Sequence, residues 1–475
     1  MVGPHVLPCE TPAALPAGVK RAPATRWVLP TTILGSSLSF IDGSVVNVAL
    51  PAMQASLDAD LATMQWVVNA YMLTLASLIL LGGSAGDRFG RRRIFILGLV
   101  GFTAASLACA LSPSALWLVA ARAVQGAAAA FLMPASLAMV GAAYDGDARG
   151  PAIGTWAAAG ALTTALGPPL GGWLVDTVGW RSIFLISLPV GLAALVLARK
   201  LPADRPSTDA APLDRRGSAL AILWLGALCY GLIALGEKRT GGGAVAIGIS
   251  VLLALLFVRA EARADAPMMP LSMFRERAFS GANAITVLLY AALGGALFLL
   301  PYVLIRVHGY SALAAGAAFL PFSAIMGAGS RWSGGLVEKI GARVPLIAGP
   351  AIAAAGYVVL GVSGRDPSYW MGFFPGLLIL SVGMTISVAP LTTMVLDAAP
   401  DDKSGTASGI NNAAARTGSL LAVAALGLVV GGTSKAVDAA ALADAYRAAM
   451  WVAAVLAALS ALIAMLTIAP RRALR

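Results

Sequence analysis

The sequence predicts an all-α integral membrane protein, and both its composition and the pattern of its apolar residues lead to that fold class. Of the 475 residues, 59% are hydrophobic and 12% are charged, which is more apolar surface than a soluble core of this length can bury. The apolar residues form runs of about 20 without alternation, which is typical of membrane helices and not of barrel strands. The solvent of this chain is therefore lipid.

Fourteen membrane spans are predicted from apolar runs that charged residues or Gly and Pro clusters interrupt. The predicted spans cover residues 27–50, 64–83, 94–112, 115–140, 151–175, 182–199, 217–236, 242–258, 279–304, 311–332, 344–362, 370–396, 404–430 and 446–469. An even number of spans places both termini on one side of the membrane. Basic residues near both ends, such as Arg21 and Arg471, make that side the cytoplasm.

The basic character of the chain, with a formal net charge of +11, has two possible meanings. It could indicate a nucleic-acid partner, or it could reflect the excess of Lys and Arg in cytoplasmic loops of membrane proteins. Most of the 33 Lys and Arg residues fall in the predicted cytoplasmic loops, which favours the second meaning. We predict a multi-pass protein of the bacterial inner membrane with lipid around it and no nucleic-acid partner.

The two longest polar stretches flank spans seven and eight, which contain almost no embedded polar side chains. Because polar groups in lipid persist mainly where they serve transport, this pair of spans is interpreted as an insertion outside the pathway. The predicted organisation is a cytoplasmic tail at 1–26, a six-helix bundle at 27–200, a linker with two inserted helices at 201–278, a second six-helix bundle at 279–469 and a tail at 470–475.

An internal repeat supports two related bundles. The residues Gly83, Asp87, Arg88, Gly90 and Arg92 after span two match Gly334, Glu338, Lys339, Gly341 and Arg343 after span ten in type and spacing. Repeated bundles place the substrate in a cavity between them.

Four segments carry a family resemblance. The loop Gly83-Ser-Ala-Gly-Asp-Arg-Phe-Gly-Arg-Arg-Arg93 resembles the cytoplasmic signature of the major facilitator superfamily. The segment Phe40-Ile-Asp-Gly-Ser-Val-Val-Asn-Val-Ala-Leu-Pro51 is similar to the span-one motif of its fourteen-helix drug:proton antiporters. Leu118-Val-Ala-Ala-Arg-Ala-Val-Gln-Gly126 and Gly167-Pro-Pro-Leu-Gly-Gly172 resemble the motifs of spans four and five. The resemblance implies the major facilitator fold, with two six-helix bundles plus two extra helices.

Asp42 is the only acid well inside a predicted span of the first bundle, and a buried carboxylate needs a partner. It lies roughly 22 Å into span one from the cytoplasm, and Arg122 lies roughly 12 Å into span four from the opposite side. In an apolar core of about 30 Å the two charges are nearly level. The resemblance implies that this pair couples transport to protons, with Asp42 taking up a proton when Arg122 moves away. A purely structural ion pair is the alternative.

Further residues are predicted to serve the gates and the cavity. The expected cytoplasmic gate comprises Gly83, Asp87, Arg88, Gly90, Arg91, Arg92, Glu338, Lys339 and Arg343. The expected substrate cavity is lined by Gln125, Trp66, Tyr71, Trp156, Asn412 and Arg416, although the three aromatic residues could instead anchor helix ends at the membrane surface. In span five, Gly167, Pro168, Gly171 and Gly172 form the antiporter motif and allow close packing and bending.

The predicted function is proton-coupled antiport that exports small hydrophobic or amphiphilic compounds, such as drugs and toxins, by alternating access. A dedicated exporter of one endogenous metabolite or antibiotic, and a transport-dead receptor or scaffold, are the alternatives. An enzyme is not expected, because the sequence shows no paired nucleophile and base, no metal cluster and no nucleotide loop. We expect a monomer that uses the proton gradient without a cofactor or a metal.

Overall fold

The computed structural model describes residues 25–202, 212–400, 403–430 and 438–469. Every regular element in these ranges is a helix. Apart from residues 25 and 26, the predicted tails at 1–26 and 470–475 lie outside the described residues.

The first bundle contains five long helices and one broken helix. Their bounds are α1 Val28–Ser56, α2 Leu61–Phe89, α3 Arg91–Ala110, α4 Ala115–Ala143, α5 Arg149–Thr177, and the broken pair α6 Ser182–Leu185 and α7 Ser187–Ala198. Two further helices follow, α8 Arg215–Gly236 and α9 Thr240–Glu261. The second bundle comprises α10 Arg277–Tyr302, α11 Ala312–Ala317, α12 Leu320–Ile340, α13 Arg343–Ser363, α14 Phe374–Asp397, α15 Ser404–Val430 and α16 Ala439–Thr467.

Each predicted span coincides with one of these helices or with two consecutive helices. By length and apolarity, 12 helical segments of the described chain qualify as membrane spans. The segment Ser182–Ala198 is too short to qualify, and α5 is made less apolar by its Gly, Pro and Thr residues. The protein is a multi-pass helical membrane protein, and the count of fourteen stays a prediction.

The internal repeat has a structural counterpart at the ends of α2 and α12. Gly90 and Gly341 follow these helices with φ angles of 98° and 76°, which glycine adopts without a steric penalty. After each glycine an arginine reaches the last helix of its own bundle. Arg92 donates to the carbonyl of Ala198 at 3.4 Å, and Arg343 donates to the carbonyl of Met465 at 3.1 Å. Equivalent residues therefore tie equivalent helix ends together.

The helices pack as two bundles that meet along two seams. In the first bundle α1 packs on α5, and α2 and α3 pack on α4; in the second, α10 packs on α15 and α16, and α13 on α14. The seams are formed by α2 with α15 and by α5 with α11 and α12. Within the first bundle, small residues let helices pack closely. A Cβ atom on Gly82 in α2 would overlap the carbonyl oxygen of Ala130 in α4.

The inserted helices lie on the outside of the first seam. Helix α8 packs against α2 and α15, and α9 packs on α8. Helix α9 exposes a largely apolar surface that includes Val245, Leu252 and Leu255. Such a surface suits lipid contact, so the position of α9 is that of a peripheral membrane helix.

Candidate functional site

The centre of the first bundle holds a buried ion pair. The Nη1 atom of Arg122 in α4 donates to Oδ2 of Asp42 in α1 at 2.6 Å. The side chain of Asp42 is 3% exposed and that of Arg122 is 2% exposed. Removing either partner would leave a charge buried without compensation, which is why such a pair is sensitive to protonation.

Hydrogen bonds within α4 and from two other helices complete the surroundings of the pair. Gln125, one turn after Arg122, donates to Oδ1 of Asp42 at 3.1 Å and accepts from Nη1 of Arg122 at 2.6 Å. The amide of Gln125 also donates to the hydroxyl of Ser106 in α3 at 2.9 Å. The Nε atom of Arg122 donates to the carbonyl of Val67 in α2 at 3.2 Å. The pair is thus held by α1, α2, α3 and α4 together.

Aromatic rings cover the guanidinium. The ring of Tyr71 lies 4.2 Å from the guanidinium carbon of Arg122, and the ring of Phe184 lies 5.9 Å from it. The Tyr71 hydroxyl shares a hydrogen bond of 2.8 Å with Ser39, one turn before Asp42. These rings lie beside the guanidinium in place of water, and the attraction within the pair is stronger in such apolar surroundings.

The structure brings Asp42, Arg122 and Gln125 together at one site. Sequence reasoning missed Ser39 and Ser106. The helical spacing of Ser39 from Asp42 was an available signal. Nothing in the local sequence distinguishes Ser106, because its role depends on how α3 is rotated against α4.

A cavity of about 2040 Å³ separates the two bundles and opens on the predicted cytoplasmic face. Its mouth includes Gly83, Asp87 and Arg91 of the cytoplasmic loop. Its inner wall includes Phe40, Tyr290 and Arg416, which lie near the middle of their helices, and Phe322, which lies in the first turn of α12.

Three of the six predicted cavity residues line this space, namely Trp156, Asn412 and Arg416. The other three are Gln125, Tyr71 and Trp66, and none of them lines it. Gln125 and Tyr71 belong to the ion-pair site, and Trp66 packs in an apolar cluster between α2, α8 and α15. Asp42 does not line the cavity either. In this conformation the buried ion pair and the cavity between the bundles are separate sites.

Polar contacts between the bundles close the opposite, outer end. Gln65 in α2 donates to the carbonyl of Val423 in α15 at 2.7 Å. Arg306, just after α10, donates to the carbonyl of Pro51 in α1 at 3.1 Å. With the cavity open at one end and these contacts at the other, the protein is in an inward-open conformation relative to the predicted topology.

The glycine- and proline-rich segment of α5, predicted to be an antiporter motif, lies in the second seam. A Cβ atom on Gly172 would overlap the carbonyl oxygen of Ala312 in α11, and one on Gly316 would overlap that of Pro168 in α5. Gly167 and Gly171 face α1, where they contact Ser44 and Val45. One face of α5 therefore packs within its own bundle and another packs against the second bundle.

Asp176 completes this seam at its outer end. Its carboxylate accepts from the backbone N–H of Ala312 at 3.1 Å and from that of Leu313 at 2.8 Å. Both bonds join α5 to the first turn of α11, so they exist only while the outer end is closed.

We expect Asp176→Ala to shift the equilibrium toward the outward-open state. Because the carboxylate is exposed, its two bonds are worth about 1 kcal/mol, or about a fivefold change in the populations. Electron–electron double resonance between spin labels at the outer ends of α5 and α11 measures those populations. Asp176→Asn, which keeps one acceptor oxygen, should fall between wild type and Ala, and an unchanged distance distribution in the Ala variant would refute the role.

Direct contacts are seen at the Asp87 side of the predicted cytoplasmic gate. Asp87 accepts from Arg91 at 3.0 Å, and Arg91 also donates to the carbonyl of Ala138 in α4 at 3.3 Å. Arg88 and Lys339 lie at the last turns of α2 and α12. The side chain of Glu338 lies outside the described residues.

Two six-helix bundles, a cavity between them and a buried ion pair in one bundle define a polytopic membrane transporter. The chain belongs to the Major Facilitator Superfamily, whose family profile matches residues 32–423. Members of this superfamily are transporters of small molecules rather than enzymes.

The chain is similar to several resistance proteins. It is 37% identical to the multidrug resistance protein Stp of Mycobacterium tuberculosis, over 85% of this chain and 75% of Stp. It is 33% identical to the tetracenomycin C resistance and export protein of Streptomyces glaucescens, over 87% of this chain and 79% of that protein. It is 35% identical to the methylenomycin A resistance protein of Bacillus subtilis, over 85% of this chain and 87% of that protein.

Solved structures share the fold at low sequence identity. A bacterial homolog of the human lysosomal transporter Spinster aligns with a TM-score of 0.66 and 17% identity, over 94% of this chain and 97% of its own. The xylose transporter XylE from E. coli aligns with a TM-score of 0.66 and 14% identity, over 94% of this chain and 97% of its own.

Proposed function

We propose that this protein is a proton-coupled antiporter that exports small hydrophobic or amphiphilic compounds from the cytoplasm across the bacterial inner membrane. The observation that carries the proposal is the buried Asp42–Arg122 pair, together with a large cavity that opens on the predicted cytoplasmic face. The similarity to multidrug and antibiotic resistance proteins supports drugs or antibiotics as substrates.

In the proposed cycle the ion pair is present when Asp42 is deprotonated and is broken when Asp42 carries a proton. A proton on Asp42 neutralises the carboxylate and so removes its attraction for Arg122. The proton also changes the hydrogen-bond partner that Asp42 offers to Gln125. Because Arg122 and Gln125 lie on α4 and Asp42 lies on α1, the two helices are then free to change their relative position. Release of the proton to the cytoplasm restores the pair and the inward-open state, which is ready for the next substrate.

The proton gradient supplies enough energy for export. A membrane potential contributes about 2.3 kcal/mol per charge at 100 mV, before any pH difference is added. The cycle therefore needs no cofactor. We propose a monomer with fourteen spans and both termini in the cytoplasm. Because no residue of α8 or α9 lines the cavity, these helices are proposed to lie outside the transport pathway.

The proposed function is tested by the susceptibility of cells to unrelated toxins and antibiotics. A strain that lacks the protein is compared with the same strain in which the protein is expressed. Protection against several unrelated compounds supports a multidrug exporter. Protection against one compound supports a dedicated exporter, which the relatives named for a single antibiotic favour. No protection, together with no proton-linked flux in vesicles, would overturn both and favour a receptor or scaffold.

A further inference from the structure

We propose that the cavity contains an anion-binding subsite at Arg416 and that the preferred substrates are aromatic compounds bearing an acidic group. This inference deepens the proposed export function and rests on it. It is carried by the position of Arg416, by the charge of the cavity wall and by the aromatic side chains around it.

Arg416 lies near the middle of the membrane and faces the cavity. It is 12 residues after Ser404, the first residue of α15, which corresponds to about 18 Å of helix. It lines the same cavity as Tyr290 of its own bundle and Phe40 of the other bundle. An arginine at this depth is costly unless it meets an anion, a partner or water.

The two embedded arginines differ in their partners. Arg122 is neutralised by Asp42 at 2.6 Å. No carboxylate among the described residues forms an ion pair with Arg416. A structural arginine would be expected to have such a partner, whereas a guanidinium left available in a cavity is suited to bind the carboxylate of a ligand in a bidentate manner.

The charges on the described cavity wall favour an anion. The wall includes Asp87, Arg91, Arg149 and Arg416 as its charged residues in the described part of the chain. Asp87 is engaged by Arg91 at 3.0 Å, and Asp42 does not reach the wall. Two cationic side chains are left, and their field attracts anions and repels dications.

Aromatic side chains supply the second half of the subsite. Phe40 and Trp156 of the first bundle pack edge to face with their ring centroids 5.8 Å apart, and Tyr290 and Phe322 lie on the opposite wall. Flat rings bind well between such aromatic walls.

Binding of a matched pair of probes to the purified full-length protein tests the subsite. The probes are 2-naphthoate and its neutral amide, 2-naphthamide, measured by isothermal titration calorimetry in detergent. We expect Arg416→Ala to weaken binding of the carboxylate by about 10- to 100-fold, as for loss of hydrogen bonds to a charged group, and that of the amide by less than about threefold. Arg416→Lys should retain part of the preference, because it keeps the charge and loses the planar fork.

Arg365→Ala is the matched control, because this arginine is 66% exposed and lies outside the cavity. It should bind both probes as the wild type does. If Arg416→Ala weakens binding of both probes equally, the arginine has a packing role and the subsite is overturned. Unchanged binding in Arg416→Ala, or a wild type that does not prefer the carboxylate, would also overturn the subsite. Because binding is measured without transport, a preserved carboxylate preference in a protein that exports nothing would overturn the proposed function and leave the subsite standing.

Discussion

The Asp42→Asn variant is expected to lose uphill export completely while it still folds and binds substrate. The amide fills the same space and can still accept from Arg122, but it cannot take up and release a proton. The measurement is substrate movement against its gradient in vesicles with an imposed pH gradient, where the variant should match protein-free vesicles. Downhill exchange of substrate should persist, because it requires the cavity and not the proton.

Asp444→Asn is the matched control for this change. Asp444 is 71% exposed at the start of α16 and lies outside the ion-pair site. This variant should export like the wild type. Uphill export by Asp42→Asn at more than a small fraction of the wild-type rate would show that the carboxyl of Asp42 does not carry the coupled proton.

Arg122→Ala is expected to have the second largest effect, on both stability and transport. It leaves the carboxylate of Asp42 buried without its cation, a change that destabilises proteins by about 3–5 kcal/mol unless the acid becomes protonated. Thermal unfolding in detergent should therefore show a lower midpoint, and uphill export should be lost. Arg122→Lys should recover part of the stability, because it restores the charge without the bond geometry.

The double variant Asp42→Asn/Arg122→Met separates the two effects. Methionine and asparagine leave no uncompensated charge, so the double variant should unfold at a higher temperature than Arg122→Ala. It should nevertheless fail to export uphill. Recovery of export in the double variant, or wild-type stability in Arg122→Ala, would contradict the account of the pair.

Much of this architecture could be read from the sequence because lipid imposes a simple rule on the chain. Long apolar runs in lipid must be helices, so each predicted span falls on one observed helix or on two consecutive ones. The positions of Asp42 and Arg122 could also be compared by depth, since a helix rises by about 1.5 Å per residue. Depth gave the level of each charge but not the direction in which its side chain points.

The remaining features depend on how helices are rotated and how the bundles meet. Tyr71 was expected in the cavity, but the rotation of α2 turns its ring onto Arg122. The bond from Gln65 to Val423 joins residues 358 positions apart and forms only when the outer end is closed. No local pattern encodes such a contact, because it belongs to one conformation of the pair of bundles.

Proton-driven flux through the purified wild-type protein tests the central claim most directly. The protein would be reconstituted in the inside-out orientation into liposomes with an acidic interior. Both substrate uptake and the interior pH would then be followed. The account predicts that the proton gradient drives substrate to a higher concentration inside, that substrate addition accelerates proton efflux, and that a protonophore abolishes the accumulation. Substrate uptake that only follows its own gradient, with no substrate-dependent proton movement, would contradict proton-coupled export.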